Sequence, residues 1–400
     1  DHVLRNNTLR NNTRGLQIGG SGHLLRDNAM RSNRENVHVD AFHIDWLGVG
    51  PGPFDLDTSN TVDGDPIYYR FNVSGETFTA ADNPGYIALV NSSDVEVRGV
   101  TLTNNTDGLY LWNVTNATVA NVTLSENAYG IDAKGGTDVT IRESHVGNNT
   151  LAGVKAREIN AASGPSSGTP ENFTLRDNRL TDSGTPGVIA RTSRDLDWYG
   201  TGLFYTGANA TITGNAILRS ANHGIEVNPG SASRSTRIAN NAILNNSAIG
   251  IRLSGWGGTD GGEEIVSNNA SYNGASGIVV VGSGAPVRDN VARNNTEAGV
   301  WIRSRSKPNT IRNTTATGNR YGVRLSHRVS GTPVEINDNT VVESQLTGND
   351  YGIYVGESSR NNTLRYNDVT DNRYGIYLSR AGRNDVLDNN ASANSERCRR

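Results

Sequence analysis

Short apolar pairs recur along this chain in one frame. A glycine, an aliphatic residue, a variable residue and a second aliphatic residue or alanine form a tetrad, as in Gly108-Leu109-Tyr110-Leu111, Gly130-Ile131-Asp132-Ala133, Gly153-Val154-Lys155-Ala156, Gly299-Val300-Trp301-Ile302 and Gly375-Ile376-Tyr377-Leu378. Successive tetrad glycines stand 22 residues apart from Gly108 to Gly130 and from Gly277 to Gly299, and 23 apart from Gly130 to Gly153 and from Gly352 to Gly375. Between tetrads lies a second apolar pair closed by asparagine, as in Thr310-Ile311-Arg312-Asn313 and Val386-Leu387-Asp388-Asn389. Alternation over so few residues predicts short strands with one buried face, and leaves no length for helices. Asparagine and glycine tolerate the left-handed backbone of a sharp corner, and asparagines at equivalent corners can stack as an amide ladder. The pattern predicts an all-β chain: one right-handed parallel β-helix over residues 1–400, with about thirteen rungs of roughly 22–23 residues. The mixture of Ile, Val, Leu and Ala argues against a leucine-rich repeat, and the period is too short for a propeller blade.

Departures from the period mark insertions. Glycine spacing grows to 34 between Gly153 and Gly187, 37 between Gly187 and Gly224, and 30 between Gly322 and Gly352. The extra residues fall near 161–170, 194–207 and 327–333, and the largest interruption is 36–84. Within the last, Asn60 to Tyr69 reads as strand, Asp63-Gly64 turn and strand, a hairpin projecting from or packed on the solenoid.

Composition fits a solenoid better than a globular enzyme, with 34% hydrophobic residues and 46 glycines in 400. The formal charge of -3 offers no basic field for nucleic acid. The only cysteine, Cys398, excludes a disulfide within one chain and a cysteine-based metal site. Apolar runs such as 278–281 are far too short to span a membrane. The chain opens inside a repeat at Asp1, which reads as a product of processing or of cutting from something longer.

The segment from Phe54 to Tyr69, followed by Gly85-Tyr86-Ile87-Ala88-Leu89-Val90-Asn91, resembles archaeal surface proteins with NosD-type β-helix repeats, and the flanking repeats extend the resemblance over essentially the whole chain. That family sits with carbohydrate-binding proteins and sugar hydrolases on parallel β-helices. The resemblance implies an exported, extracellular, cell-surface or periplasmic protein, and the NosD name implies an accessory to copper-site assembly. Copper(I) favours thioether and thiolate ligands, for which the chain offers only Met30 and Cys398.

Four sets of residues suggest chemistry. Tyr110, Trp301, Tyr354 and Tyr377 hold the outward third position of their tetrads, and Tyr129, Tyr321, Tyr351 and Tyr374 precede tetrad glycines. Stacked in successive rungs beside Arg303, Arg324 and Arg380, they form a stripe that either binds sugars or shields the sheet by cross-strand packing. Trp198 and Tyr199 lie in an aromatic insertion that is either a ligand lip or a folded flap. His38, Asp40, His43 and Asp45 are the densest ligand-type cluster and candidates for a divalent metal, although no cofactor is required. Asp195, Asp197, His223 and Glu226 are the candidates for paired acid and base. Asn222-His223-Gly224 resembles the Gly-His-Gly of polygalacturonases, but that family's companion Asn-Thr-Asp and Asp-Asp motifs are missing. Asn-X-Ser/Thr acceptors such as Asn104, Asn148, Asn245 and Asn294 recur, as expected where asparagine corners meet threonine-rich strands, and mark possible glycosylation sites.

The leading expectation is a non-catalytic protein that binds polysaccharide, surface glycan or protein partners through the stripe and the inserted loops. The alternatives are a polysaccharide lyase, hydrolase or epimerase using carboxylates near 195–226, a structural stalk or filament subunit, and a copper-maturation accessory.

Overall fold

The computed structural model describes residues 2–39, 51–159, 168–184, 199–228, 235–255, 262–282, 284–303, 307–329 and 331–396. They belong to two compact units, Asp1–Ala210 and Thr211–Arg400. Both wind as parallel β-solenoids, with about fourteen turns in all. No α-helix occurs among the described residues, whose one helical segment is a 3₁₀ turn at Ala80–Asp82.

A regular turn contributes one strand to each of three stacked sheets. In the first unit, Ser93–Arg98, Thr101–Thr103 and Asp107–Trp112 make one turn, and Thr115–Ala120, Thr123–Ser125 and Tyr129–Lys134 the next. Pairing between turns is parallel and in register, so Leu109, Ile131, Val154 and Leu203 align in the third sheet. In the second unit, Ile225, Ile251, Ile278, Val300, Val323, Ile353 and Ile376 do the same. Like side chains therefore lie directly over one another at the interstrand distance of about 4.8 Å, and a few aliphatics per turn fill a continuous core.

Adjacent residues share the work of each corner. In the second unit, Asn245, Tyr272, Asn294, Gly318, Gly348, Asp371 and Ala393 adopt left-handed backbone with φ of 52–69°. The next residue is in every case an inward asparagine. Asn246, Asn273, Asn295, Asn319, Asn349, Asn372 and Asn394 form a ladder in which each backbone N–H donates to the following Oδ1 at 2.8–3.1 Å. These amides satisfy the buried main-chain groups that a tight corner would otherwise strand. The tetrad glycine answers to the same ladder. A Cβ on Gly250 would lie 2.6 Å from the Gly277 carbonyl and 2.8 Å from Asn273 Nδ2, so the position is glycine for want of space.

The predicted hairpin is present. Thr61–Val62 and Asp65–Phe71 pair antiparallel around Asp63-Gly64, both left-handed. Its second strand does not project: it runs parallel to Tyr86–Val90 and enters the third sheet. The insertion near 327–333 is a second antiparallel hairpin, His327–Val329 with Thr332–Val334. The N-terminal turns pack against the outer face of the third sheet, where Leu16, Ile18, Met30, Val37 and Val39 share one hydrophobic cluster with Tyr86, Ala88, Tyr110 and Trp112.

Candidate functional site

Two parts of the third sheet's outer face carry polar chemistry, one in each unit. In the first unit, strand alternation turns Tyr110, Asp132 and Lys155 outward in one register column. Trp112, Lys134 and Arg157 follow in the column two residues on. Strand Glu35–Val39 lies beside the start of Asp107–Trp112: Asn36 N–H donates to the Asn104 carbonyl at 2.6 Å, and Thr106 N–H to the Val37 carbonyl at 3.1 Å. It brings His38 Nδ1 to 3.1 Å from Asp107 Oδ2.

Below it, Lys134 Nζ and Lys155 Nζ stand 3.7 and 3.8 Å from Asp132 Oδ2. Lys155 Nζ is 4.4 Å from the centre of the Tyr129 ring, and Lys134 Nζ is 5.2 Å from that of Trp112. Asp107, Asp132 and both lysines are buried. Burial pushes the Lys155 ammonium down to about 8. It also raises Asp107, against the pull of His38. Burial would raise Asp132 too, but Lys155, Lys134 and Arg157 together hold it below the ordinary carboxylate value. The cluster thus offers a carboxylate kept ionised beside a lysine poised to lose its proton in mild alkali. Sequence reasoning passed over it, although the signal was present. The chain has only three lysines, Lys134, Lys155 and Lys307, and two of them stand one turn apart beside an acidic tetrad residue, Asp132.

Tyr110 holds its outward register position but is fully buried beneath the N-terminal turns, so it does not belong to an exposed stripe. Of the metal candidates, His38 is committed to Asp107, while Asp40, His43 and Asp45 lie outside the described residues. Among the described residues no group of three or more His, Cys, Asp or Glu is placed to hold a metal ion. Met30 is enclosed in the apolar core, and Cys398 lies outside the described residues.

In the second unit, Glu226, Arg252, Val279, Trp301, Arg324, Tyr354 and Tyr377 form one outward column. Ala298, Tyr321, Tyr351 and Tyr374 form the neighbouring one. The predicted stripe exists there. Tyr351 stacks between Tyr321 at 5.2 Å and Tyr374 at 4.9 Å, and Tyr354 stacks on Tyr377 at 5.7 Å. Tyr351 also meets Tyr354 and Tyr377 edge-on. Arg324 lies 4.1 Å from the centre of the Trp301 ring and 4.9 Å from that of Tyr321, and pairs with Glu297. The rings spend faces on each other, so the stripe presents ring edges and hydroxyls to solvent. Among the described residues, no protein group hydrogen-bonds the hydroxyls of Tyr351, Tyr354, Tyr374 or Tyr377, and none of the four is buried.

Of the four acid–base candidates, His223 and Glu226 lie within the described residues. Asp195, Asp197 and Trp198 lie outside them; Tyr199 is partly buried, close enough to Arg34 for its charge to act on the phenol. Glu226 is fully buried and held by Arg252 Nη1 at 2.8 Å. His223 Nδ1 accepts the Ile249 N–H at 3.1 Å, and its Nε2 stands 3.9 Å from Glu226. Burial, with a smaller contribution from Arg252, pushes the imidazole down to about 4. His223 is therefore a neutral, structurally bonded ring at physiological pH, consistent with a corner residue.

The sequence matches a family model described as "Periplasmic copper-binding protein (NosD)" over residues 59–260 and 258–400. No curated protein matches it. Similar solved structures include the Dettilon tailspike protein (gp208), at 15% identity over 80% of this chain and 62% of that one, with a TM-score of 0.43. The chain thus spans less than two thirds of the tailspike's length. The periplasmic alginate epimerase AlgG is 13% identical over 78% of this chain and 74% of its own, with a TM-score of 0.42. PfbA, a surface adhesin of Streptococcus pneumoniae, is 13% identical over 96% and 83%, with a TM-score of 0.28. At these identities the likeness is one of fold.

Proposed function

The chain belongs to the NosD family, described as periplasmic copper-binding proteins, and from that premise we propose that it is an exported β-helix protein that binds glycan on the outer face of its second unit. The observation that supports this reading is the Trp301–Tyr377 stripe, whose tyrosine hydroxyls have no hydrogen-bond partner among the described residues. Amphipathic rings of fixed orientation offer both apolar edges and hydrogen-bonding groups to a sugar, at little conformational cost. Copper fits this chain poorly, because the donors that soft copper(I) prefers are not gathered among the described residues.

The test is retention of the purified protein on a panel of immobilised polysaccharides. Replacing Tyr354→Ala together with Tyr377→Ala is expected to weaken retention by about tenfold, equivalent to roughly 1.4 kcal/mol. Unchanged retention in a folded double variant would remove the stripe from the binding surface.

A second, catalytic reading is supported by the Asp107–Asp132–Lys134–Lys155–Tyr129 cluster, because perturbed ionisable groups gathered in one place are candidates for acid–base work. Release of reducing ends or unsaturated uronates, lost in Asp132→Asn, would favour it. The enclosure of both carboxylates and both lysines favours the first reading.

A further inference from the structure

Resting on the glycan-binding reading, we infer that Arg303 is the anchor for a carboxylate group, and that the glycan is therefore a uronate-bearing polymer. On the second unit's outer face the charges of Arg252 and Arg324, and the carboxylate of Glu297, all act on the guanidinium of Arg303. The two neighbouring guanidiniums have their own carboxylates. Arg252 pairs with Glu226 at 2.8 Å, and Arg324 with Glu297. Arg303 pairs with none among the described residues. Its guanidinium lies 4.7 Å from the centre of the Trp301 ring, and its Nε donates to His327 Nδ1 at 3.4 Å. No described residue hydrogen-bonds its two terminal nitrogens.

Arg303 is partly buried, and burial together with the two neighbouring guanidiniums disfavours its charge, against a smaller favourable effect of Glu297. A carboxylate relieves both effects, since the free edge of a guanidinium matches two carboxylate oxygens in a planar fork. The indole of Trp301 is fixed by donating from Nε1 to the Ser326 carbonyl at 2.6 Å, and it holds one face of Arg303 in place. Arg324 and the tyrosine column continue from there in register, one turn at a time. A sugar chain with its carboxylate on Arg303 can therefore extend over the tyrosine hydroxyls. A neutral sugar would gain the hydroxyl contacts alone.

The experiment compares binding of polygalacturonate, the same polymer after chemical reduction of its carboxyl groups, and dextran sulfate, using the whole chain. The wild type is expected to prefer polygalacturonate over the reduced polymer by about tenfold or more, as one desolvated charge-assisted contact allows. Arg303→Gln should abolish that preference, bringing affinity for polygalacturonate down to that for the reduced polymer. Arg303→Lys, which keeps the charge without the fork, should lose most of it. Thermal denaturation of each variant verifies its fold. Equal preference in Arg303→Gln and wild type would overturn the assignment, as would a wild type that favours dextran sulfate. If the wild type binds both galacturonan forms equally, and loses both on Tyr354→Ala with Tyr377→Ala, glycan binding stands and the carboxylate anchor falls. If it binds no polymer at all, both readings fall.

Discussion

Left-handed backbone is the residue-scale signature of this chain. Every one of Asn6, Asn72, Asn104, Asn113, Asn121, Asn148, Asn172, Asn209, Asn245, Asn294, Asn313 and Asn361 has a positive φ, and each opens an Asn-X-Ser/Thr triplet. At Asn113, Asn121, Asn172, Asn209, Asn313 and Asn361 the triplet is the corner written in sequence: a left-handed residue, an inward residue, then a threonine that starts the next strand. Its frequency therefore has a conformational origin, independent of any modification. His223 gives a prediction at the same scale. Its folded value of about 4 lies below the ordinary 6.5, so the unfolded chain takes up the proton first as pH falls. Stability is expected to drop between pH 6.5 and 4 and to level off below, by up to about 3 kcal/mol from this ring. Melting curves across that range should show a shallower acid limb in His223→Gln, and an unchanged limb would show that the ring is not the group responsible.

Strands of two to seven residues have little stability of their own, and the elements here are held by their corners. Asn273 accepts from Asn246 N–H at 3.1 Å and Nδ2 at 3.0 Å, and donates to the Ile243 carbonyl and Asn295 Oδ1. Asn273→Ala leaves the buried Asn246 N–H unsatisfied and is expected to cost about 1–3 kcal/mol per stranded group. The preceding residue, Tyr272, is 54% exposed with φ of 59°, a conformation costly for a bulky side chain. Tyr272→Asn is expected to stabilise by about 1 kcal/mol. Denaturant unfolding should move the two neighbouring variants in opposite directions; a shift in the same direction would show that the left-handed backbone at Tyr272 or the amide contacts of Asn273 carry no such energy. The asparagine corners and the tetrads were legible because each recurs in one frame. The tetrad glycine's purpose was not, because the clash it avoids comes from an asparagine one turn away.

At the scale of the whole molecule, burial depends on which turns are covered. Tyr110 and Tyr354 hold the same tetrad position, yet the first is fully enclosed and the second is partly open. The difference lies in the N-terminal turns, which bring Leu16, Val37 and Val39 onto the first unit's outer face. Tyr110→Ala is expected to cost about 3–5 kcal/mol, as for other large core truncations. Hydrogen exchange should then quicken in the strands of Leu16 and Val37 as well as in Asp107–Trp112; exchange confined to the mutated strand would show that the N-terminal turns hold independently.

What the sequence by itself determined is what repeats: strand period, corner residues, the inward aliphatic columns, the hairpin turn at Asp63-Gly64 and the tyrosine stripe. A repeat is legible because each turn poses the same local problem and meets it with the same residue types. The Asp107–His38 pair, the Asp132–Lys134–Lys155 group and the place of Arg303 beside Trp301 and His327 were decided only by tertiary structure. His38 and Asp107 are 69 residues apart and meet because one strand is laid beside another. Arg303 stands out because the carboxylates nearest its neighbours are already taken, and that depends on which charges the stacked turns bring together.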